Sequence, residues 1–292
     1  MKYQFIEEHK HEFTIVVMCS VLAVSESGFY AWRARPTCRR KQEDAQLTQK
    51  IQQVFEAHQG RYGAPRIYRD LHDEGNSCSQ KRVARLMRAE ELSASPKRRR
   101  VRTTKRDETH PVALNILNRD FQAEEPNKKW VTDITYIPTM QGWLYVAVIL
   151  DLYSRMVVGW SMSSNCDEKL AERALEQALA RRRPQAGLLH HSDRGSQYTA
   201  HAYQAYLQRY GIQPSMSRKG NCWDNAVAES FFGTLKEECV KEIVYTSRDE
   251  AKGALFTYIE TYYNRVRRHS TLGYISPLQY EKMRGPYALQ NV

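Results

Sequence analysis

The sequence predicts an α/β protein in which an all-α, helix-turn-helix-like region precedes a mixed sheet with helices packed on it. The first hundred residues have the apolar spacing of short helices, and from residue 127 the pattern changes to that of strands. Residues 1–106 hold 22 basic and 12 acidic side chains, a net charge of +10, whereas residues 107–292 have a net charge of +1. A basic front half joined to a nearly neutral back half indicates a polyanionic partner, most simply nucleic acid.

Two pairs of short helices are predicted in the front region. In the first pair, "TIVVMCSVLAV" is followed by Ser25, a favourable N-cap, and by "ESGFYAWRAR". In the second, "APRIYRDLHDE" starts near Pro65 and stops at Gly75, and "QKRVARLMRAEEL" begins after Ser79. A tight turn before a basic second helix is typical of helix-turn-helix DNA readers, although small helical bundles share the pattern. The basic character of the second helices favours DNA, with Arg82 and Arg85 as candidate contacts.

A strongly basic segment, "SPKRRRVRTTKRDE", separates the helical region from the strands. It has seven basic residues and almost no apolar ones, so it cannot form a core of its own. It is either a solvated linker or a basic arm that becomes ordered on a phosphate backbone, and the second interpretation is favoured. The candidate DNA contacts in this segment are Lys97, Arg98, Arg99 and Arg100.

Strand and helix patterns alternate through the back half. Alternation in "KKWVTDITYIP" predicts a strand, and the unbroken apolar run in "WLYVAVILDL" predicts a strand covered on both faces. "MVVGWSM" runs back as a third strand. A long helix, "DEKLAERALEQALARRR", stops at Pro184, and "GLLHHSD" is a short strand that ends at Asp193. The helix "TAHAYQAYLQRYG", a short extended piece and a last helix follow, which gives a mixed sheet with crossover helices.

That last helix lies in "NCWDNAVAESFFGTLKEE" and carries Glu229. Steps of four select Trp223, Val227, Phe231 and Leu235, which predicts a buried apolar stripe with Glu229 projecting away from it. Most glutamates on helices are solvated surface residues, and Glu229 by itself fits that description.

Two aspartates change this interpretation. Asp133 lies in the middle of a predicted strand, where aspartate is depleted, and Asp193 ends another strand. If the two strands are neighbours, both carboxylates reach the same edge of the sheet, and the apolar stripe of the later helix can bring Glu229 to them. Three converging carboxylates repel one another unless a cation neutralises them. Oxygen ligands favour Mg²⁺ or Mn²⁺, and two such ions form the usual clamp for phosphodiester cleavage.

Other polar residues near the predicted cleft have structural interpretations. Asp151 also follows a buried strand, and we expect it to pair with Arg155 across the turn. His190 and His191 flank Asp193 but are interpreted as packing residues or as support for the site, not as metal ligands. In the tail, "TSRDEAKGALFTYIETYYNRVRRH" predicts a helix in which Phe256 and Tyr258 pack on the core. The basic cluster would then be left for phosphates: Arg265, Arg267, Arg268 and His269.

Six single cysteines have no C-x-x-C pair, so free thiols in a reducing compartment are expected. No signal peptide is recognised, and the longest apolar run is too short to cross a bilayer. A cytoplasmic protein is therefore expected.

Five blocks of this sequence resemble the second reading frame of bacterial insertion-sequence transposases, in the family named for insertion sequence three. These blocks are "WVTDITYI", "LDLYSRMVVGWSM", "HHSDRGSQYTA", "NAVAESFFGTLKEE" and "YYNRVRRHSTLGYISPLQYE", and the "RYGAPRIYRDLHDEG" stretch is similar to the family's front domain. The resemblance covers nearly the whole chain, and 35 residues separate Asp193 from Glu229, as in the family. It implies a DDE transposase with a ribonuclease-H-like core built on a mixed five-stranded sheet.

The resemblance also implies the site and the reaction. Asp133, Asp193 and Glu229 match the catalytic, metal-binding triad, with two Mg²⁺ or Mn²⁺ ions per site. Lys236, seven residues after the glutamate, matches a position that contacts DNA, and Asn225 is a further candidate DNA contact. The implied reaction is cleavage of a strand at the element's end, followed by attack of the new 3′ hydroxyl on another phosphodiester.

The same resemblance implies partners and domains. The partners are double-stranded DNA from the element ends and the target, other copies of the chain in a synaptic complex, and an upstream-frame protein or fusion; no membrane is implied. A nucleoid-associated, cytoplasmic location follows. The expected division is a helical DNA-binding region at 1–95, a basic linker at 96–122, a catalytic core at 123–242 and a C-terminal helical extension at 243–292.

Two other classes of protein remain as alternatives. A DNA-binding regulator with structural carboxylates would bind DNA whether or not Mg²⁺ is present. A metal-dependent nuclease on the same fold would cut strands without joining them, and fold alone does not separate cutting from joining.

Overall fold

The computed structural model describes residues 1–34, 38–94, 112–219, 221–241 and 243–284, with only the backbone of Cys222. The chain divides into two compact units, Met1–Ser93 and Ala94–Val292. Each unit has its own buried residues.

The first unit is entirely helical over its described residues. Its helices are α1 (Lys2–Glu8), α2 (Ile15–Val21), α3 (Glu26–Ala34), α4 (Arg39–Ala57), α5 (Ala64–Asp73) and α6 (Gln80–Ala89). The predicted helix starts are confirmed: the Ser25 hydroxyl accepts from the Gly28 N–H at 3.1 Å, and the Ser79 hydroxyl accepts from the Arg82 N–H at 3.2 Å. Pro65 lies in the first turn of α5, and Gly75, with φ of +82°, follows its end.

Helix α4 corrects the expectation of short helices throughout this unit. It has 19 residues and buries Leu47, Ile51 and Val54, which lie one turn apart. The rest of α4 is polar, so its apolar stripe is narrow and the sequence pattern did not predict the helix. Helix α1 was not predicted either. Helices α4, α5 and α6 pack on one another, so the α5–α6 pair rests on a third helix.

The second unit is built on a five-stranded sheet. The strands are β1 (Lys129–Thr139), β2 (Gly142–Asp151), β3 (Val157–Ser163), β4 (Leu189–Ser192) and β5 (Gln213–Met216). Their order in the sheet is β3-β2-β1-β4-β5. β1, β2 and β3 pair antiparallel, whereas β4 is parallel to β1 and β5 is parallel to β4. This is the mixed, ribonuclease-H-like arrangement that was expected, with the short extended piece as its fifth strand.

Helices cover both faces of this sheet. The other helices of the unit are α7 (Glu168–Arg182), α8 (Ser196–Thr199), α9 (His201–Arg209), α10 (Ala226–Leu235), α11 (Arg248–Phe256) and α12 (Pro277–Arg284). On one face, Val131 and Ile137 of β1 share a core with α10 and α11; on the other, Trp130 shares a core with α7 and α9. The predicted alternation of β1 and the burial of β2 on both faces are therefore confirmed.

The C-terminal region packs on the core, with one difference from expectation. Tyr258 is buried as predicted, within a π-helical segment, Thr257–Tyr263, that continues α11. Phe256 is 50% exposed, so its predicted burial is wrong. Its ring meets the half-buried Trp160 ring edge-on, with the ring centroids 5.9 Å apart.

Among the residues that the structure describes, no single helix is long and apolar enough to cross a membrane. Helices α2 and α3 reach the required length and apolar content only together, and the chain bends by 113° between them. Cys19, Cys38, Cys78, Cys166 and Cys239 are free thiols, as expected.

Candidate active site

Asp133 lies in the middle of β1, opposite Val148 of β2. It is half-buried, and its Oδ1 accepts from the Ile134 N–H at 2.8 Å. Because side chains alternate along a strand, Asp133 lies on the same face as Val131 and Ile137, the face that α10 covers. The mid-strand aspartate therefore borders the core between β1 and α10.

Asp193 follows β4 directly, beside Asp133. The parallel register pairs Trp130 with His190 and Val131 with His191, so two further steps bring Asp193 opposite Asp133. The recorded pairing ends at Val131 and His191, so the position of Asp193 opposite Asp133 follows from continuing this register past the end of β4. The Gly195 N–H donates to Asp193 Oδ1 at 2.9 Å, and a Cβ at Gly195 would lie 3.0 Å from that oxygen. A side chain at Gly195 would therefore require the Asp193 carboxylate and the Gln197 side chain to shift.

Tyr198 is a buried residue that senses both aspartates. Burial raises the pKa of its hydroxyl well above the ordinary value, and the negative charges of Asp133 and Asp193 raise it further. The Thr132 hydroxyl donates to the Val148 carbonyl at 2.8 Å, so the Tyr198 hydroxyl is the donor in its 3.1 Å bond to Thr132. This bond ties the segment after Asp193 to the strand of Asp133.

Glu229 lies on α10, whose start is attached to β1. The Asn225 side chain donates from Nδ2 to the Thr132 carbonyl at 3.1 Å. Thr132 is the residue before Asp133. Glu229 comes one turn after Asn225 and is half-buried. The helix that carries Glu229 is therefore fixed at its start beside Asp133, on the same face of the sheet.

The predicted apolar stripe of this helix is partly wrong. Trp223 lies in a 3₁₀ turn, Cys222–Asn225, before α10 begins, and it is 69% exposed. Val227 is only half-buried. The helix instead buries Ala228, Phe231, Phe232 and Leu235. The steps of four failed at Trp223 because they assumed a helix that includes Trp223, whereas α10 begins three residues later, at Ala226.

The donor chemistry at this place suits a hard divalent cation, because three carboxylates supply only oxygen. Within the described part of the chain, no three His, Cys, Asp or Glu side chains are grouped closely enough to hold a metal ion. Asp133, Asp193 and Glu229 would therefore have to move closer to one another to hold a common ion.

Asp224 was not predicted, yet it anchors the turn before α10. It is fully buried, and its carboxylate accepts from the Arg218 side chain at 2.8 and 2.9 Å, from Arg119 at 2.9 Å and from Asn115 at 2.9 Å. Hydrogen bonds from the Arg218 guanidinium lower the pKa of Asp224 well below its ordinary value, with burial opposing them and Arg119 adding to them. No local signal could have revealed a contact to residues more than 100 positions away.

Lys236, the predicted DNA contact, lies where α10 passes into a π-helical segment, Lys236–Val240. Its Nζ is 4.7 Å from the centroid of the Tyr136 ring, a cation–π distance. Tyr136 in turn meets the half-exposed Trp143 ring edge-on, with centroids 4.9 Å apart. The ammonium group is therefore oriented by β1, the strand of Asp133.

Asp151 is structural, as expected, but its predicted partner was wrong. Its carboxylate accepts from the Asn127 N–H at 2.8 Å and pairs with Arg182 of α7 at 3.2 Å. Arg155 donates its backbone N–H to the Asp151 carbonyl and directs its guanidinium to the Phe121 carbonyl. Burial raises the pKa of the Asp151 carboxyl, against hydrogen bonds that lower it. This acid fastens α7 to the sheet.

His190 and His191 are both buried and bonded to neutral hydroxyls. His190 Nε2 is 2.8 Å from the Tyr203 hydroxyl, and His191 Nδ1 is 2.8 Å from the Ser215 hydroxyl. Burial lowers the pKa of His190 to about 3 and that of His191 to about 4. Both rings are therefore neutral at physiological pH and serve the packing of β4 between β1 and β5.

The predicted phosphate cluster in the C-terminal region is largely engaged within the protein. Arg267 is only 3% exposed and forms a two-pronged ion pair with Glu238, so its assignment as a DNA contact is wrong. Arg268 is half-buried and donates to the Tyr274 carbonyl, and His269 lies 3.1 Å from the Tyr263 hydroxyl. Arg265 is the exposed member, and its Nε donates to a backbone carbonyl.

The two arginines predicted on the recognition helix meet a common acid. Arg82 Nε lies 2.7 Å from Asp44 Oδ1, and Arg85 Nη2 lies 2.6 Å from Asp44 Oδ2. Asp44 belongs to the unpredicted helix α4, and Arg85 stays half-exposed. Lys97, Arg98, Arg99 and Arg100 lie outside the described residues.

Comparison with protein families supports the fold. Residues 123–222 match a family described as "Integrase core domain", and residues 210–277 match a second family of the same description. Residues 41–100 match a family described as "HTH-like domain". The fold and these matches define a protein with an integrase core preceded by a helix-turn-helix-like domain.

Curated relatives identify the family. The transposase InsF for insertion sequence IS3A of Escherichia coli (strain K12) is 44% identical over 96% of this chain and 98% of the relative. A 31 kDa protein of insertion element IS600 from Shigella sonnei is 43% identical over 91% of this chain and 97% of its own length. The chain belongs to the IS3 family of transposases.

One solved structure is a more distant neighbour. It is a simian T-cell lymphotropic virus intasome with PP2A regulatory subunit B56 gamma, at 15% identity and a TM-score of 0.46. The match covers 79% of this chain and 73% of that chain.

Proposed function

We propose that this chain cuts the ends of its insertion sequence and joins them to target DNA by two-metal phosphoryl transfer. The observation that carries the proposal is the juxtaposition at the candidate active site. The β1–β4 register, continued by two residues, supports a position of Asp193 opposite Asp133, and the Asn225 bond to the Thr132 carbonyl supports a start of the Glu229 helix beside β1. Family membership supplies the general activity, transposition.

Asp133, Asp193 and Glu229 are the residues that would hold Mg²⁺ or Mn²⁺, two ions per site. Bound ions of this kind lower the pKa of the attacking hydroxyl and neutralise charge on the leaving oxygen. The Gly195 N–H donates to one carboxylate oxygen of Asp193 and helps to orient it. Glu229 would complete the set from α10.

The reaction has two in-line displacements at phosphorus. In the first, a water oxygen bonds to phosphorus while the bond to the 3′ oxygen breaks, and the departing oxygen takes a proton to become a 3′ hydroxyl. In the second, that hydroxyl bonds to a target phosphorus, loses its proton and displaces the target's own 3′ oxygen. Neither step forms a bond to the protein, which agrees with the lack of a nucleophile motif in the sequence.

DNA is the proposed partner, and the described cations differ in how available they are. Lys236 follows Glu229 by two turns, and Arg265 is exposed. Arg82 and Arg85 are already paired with Asp44, so they would have to bind a DNA phosphate in addition to that carboxylate. Asn225 is 5% exposed and bonded to β1, so it supports α10 more directly than it contacts DNA. Other copies of the chain in a synaptic complex and an upstream-frame protein are proposed partners, in a nucleoid-associated, cytoplasmic setting.

The proposed domain limits follow the sequence. They are a DNA-binding region at 1–95, a linker at 96–122, a catalytic core at 123–242 and an extension at 243–292, and the boundary of the two compact units at Ser93 supports the first limit. The buried pair of Arg267 and Glu238 joins the extension to the core, so we expect the last two segments to behave as one folding unit.

The test is a joining assay with a labelled duplex that carries the element's end with an exposed 3′ hydroxyl, a target plasmid, and Mg²⁺ or Mn²⁺. Wild type should give joined product, and Glu229→Gln should lose at least 100-fold in rate, because a neutral amide cannot replace a carboxylate ligand. Glu176→Gln, an exposed glutamate on α7, is the matched control and should join at the wild-type rate.

Two results would contradict the proposal. Cutting of a longer duplex without joining would indicate a nuclease on the same fold. DNA binding that is independent of metal, with no reaction from the chain alone or together with the upstream-frame protein, would indicate a regulator.

A further inference from the structure

Trp223 has the largest exposed fraction among the aromatic side chains that the structure describes, at 69%, compared with 48% for Trp143 and 38% for Trp32. Burial of a tryptophan removes roughly 150–250 Å² of surface from water, so exposure of most of an indole forgoes a large stabilisation. The sequence pattern predicted that this side chain would be buried. Its outward position therefore calls for a reason in function.

The backbone on both sides of Trp223 is held in place. The Asn221 side chain accepts from the Trp223 N–H at 3.1 Å, and the next residue, Asp224, is fully buried with its arginine and asparagine partners. Asn225 is fastened to β1 through the Thr132 carbonyl. The indole is thus presented outward by a turn whose neighbouring residues are fixed.

The surroundings of Trp223 are cationic and adjoin the candidate active site. The turn leads directly into α10, and Glu229 comes six residues later. Arg119 and Arg218 both bond to Asp224 and are about half-exposed, and Lys219 is exposed beside them. Arg119 and Arg218 carry two positive charges against the single negative charge of Asp224, so this cluster beside Trp223 in sequence keeps a net positive charge.

We propose that Trp223 is a stacking platform for an unpaired nucleobase of the DNA held at the active site, next to the scissile phosphate. This inference rests on the proposed function. An exposed aromatic ring amid cations has the two features of a site for unpaired nucleic acid, namely a stacking surface and attraction for the backbone. An isolated indole with polar neighbours in sequence is a poor match for an apolar protein interface, which requires a contiguous patch.

The experiment measures binding to a set of element-end duplexes, each with one abasic position, without divalent metal so that no reaction occurs. The variants are Trp223→Ala, Trp223→Phe and, as control, Phe256→Ala, at an aromatic side chain of α11 that is 50% exposed. Trp223→Ala should bind the intact duplex roughly tenfold more weakly than wild type, with Trp223→Phe between the two. At one abasic position, wild type should lose the same tenfold, and Trp223→Ala should lose nothing further.

The same affinity from Trp223→Ala as from wild type on every duplex would overturn the inference. Equal losses for wild type and Trp223→Ala at every abasic position would also overturn it, because the indole and a base would then act independently. A change in oligomeric state of Trp223→Ala, without coupling to any base, would mean that the indole covers a second copy. An exposed side chain should not alter folding, and thermal unfolding of each variant checks this.

Failure of this inference is distinguishable from failure of the proposed function. If wild type joins DNA but no abasic position couples to Trp223, only the stacking role is lost. If wild type never joins DNA, the proposed reaction is lost, although the binding measurement can still reveal the coupling.

Discussion

At the scale of single residues, Asp224 illustrates how one buried charge organises a site. Its carboxylate gathers Arg119 and Asn115 from the segment before β1 and Arg218 from the loop after β5. A buried carboxylate is costly unless it is paired and hydrogen-bonded, and these donors satisfy it. The turn between Trp223 and Asn225 consequently has one conformation, and α10 starts at a fixed place.

The Asp224→Asn variant should lower the free energy of unfolding by about 2 kcal/mol near pH 7, since hydrogen bonds to charged groups are lost. The folded pKa of Asp224 lies below its unfolded value of about 3.9, so this stabilisation is present above about pH 5 and declines as the pH falls below 4. Urea unfolding at pH 7, 5, 4 and 3 should show the difference between wild type and Asp224→Asn shrinking with acidity.

The control for this measurement is Asp249→Asn, at a carboxylate whose side chain is 89% exposed and pairs with Lys252 on the surface. Its effect should be small at every pH. A difference between wild type and Asp224→Asn that stays constant from pH 7 to pH 3 would show that the charge of Asp224 is not what stabilises the turn.

At the scale of elements, the Glu238–Arg267 pair joins the continuation of α10 to the C-terminal region. Arg267 Nη2 lies 2.6 Å from Glu238 Oε1, Nε lies 2.7 Å from Oε2, and the Tyr258 hydroxyl donates to the same carboxylate at 2.9 Å. Burial by itself would lower the pKa of Arg267, but the hydrogen bonds and the negative charge of Glu238 have the larger effect and raise it. The basic residue predicted for DNA thus holds the helix of Glu229 in register with the core.

Arg267→Met should lower the free energy of unfolding by about 3–5 kcal/mol, because it leaves Glu238 as an unpaired buried charge. The double variant Arg267→Met, Glu238→Gln should recover part of that loss. Arg265→Met, at the exposed arginine two positions earlier, should change stability by less than about 0.5 kcal/mol. Guanidinium unfolding checks all three, and equal effects of Arg267→Met and Arg265→Met would contradict the assignment.

Sequence patterns revealed the elements because the physical signals for them are local. Apolar alternation in β1, the caps at Ser25 and Ser79 and the continuous apolar run of β2 all lie within single segments. The mid-strand Asp133 likewise drew attention by its own position. Partners far apart in sequence leave no such signal. The pairing of Asp151 with Arg182 and the pairing of Arg267 with Glu238 were therefore missed. The exposure of Trp223 was missed because the prediction of its burial assumed that the helix already includes this residue.

At the scale of the whole molecule, the chain consists of two compact units with separate cores. Each helix and strand that the structure describes lies within one unit, so each unit should unfold cooperatively on its own. This arrangement suits a protein in which one unit holds DNA and the other performs chemistry on it.

Calorimetry of the full chain should therefore show two transitions. Arg267→Met should shift only the transition of the sheet unit, because both residues of its ion pair belong to that unit. A single transition that moves as a whole in this variant would mean that the two units unfold together.

The measurement that tests the central claim most directly is a Mn²⁺ titration of the purified chain followed by electron paramagnetic resonance. The chain should bind Mn²⁺ through its carboxylates, and Asp133→Asn, Asp193→Asn and Glu229→Gln should each weaken binding by more than about tenfold. Glu176→Gln should bind as wild type does. Equal Mn²⁺ affinity in wild type and the three carboxylate variants would contradict a metal site built from Asp133, Asp193 and Glu229.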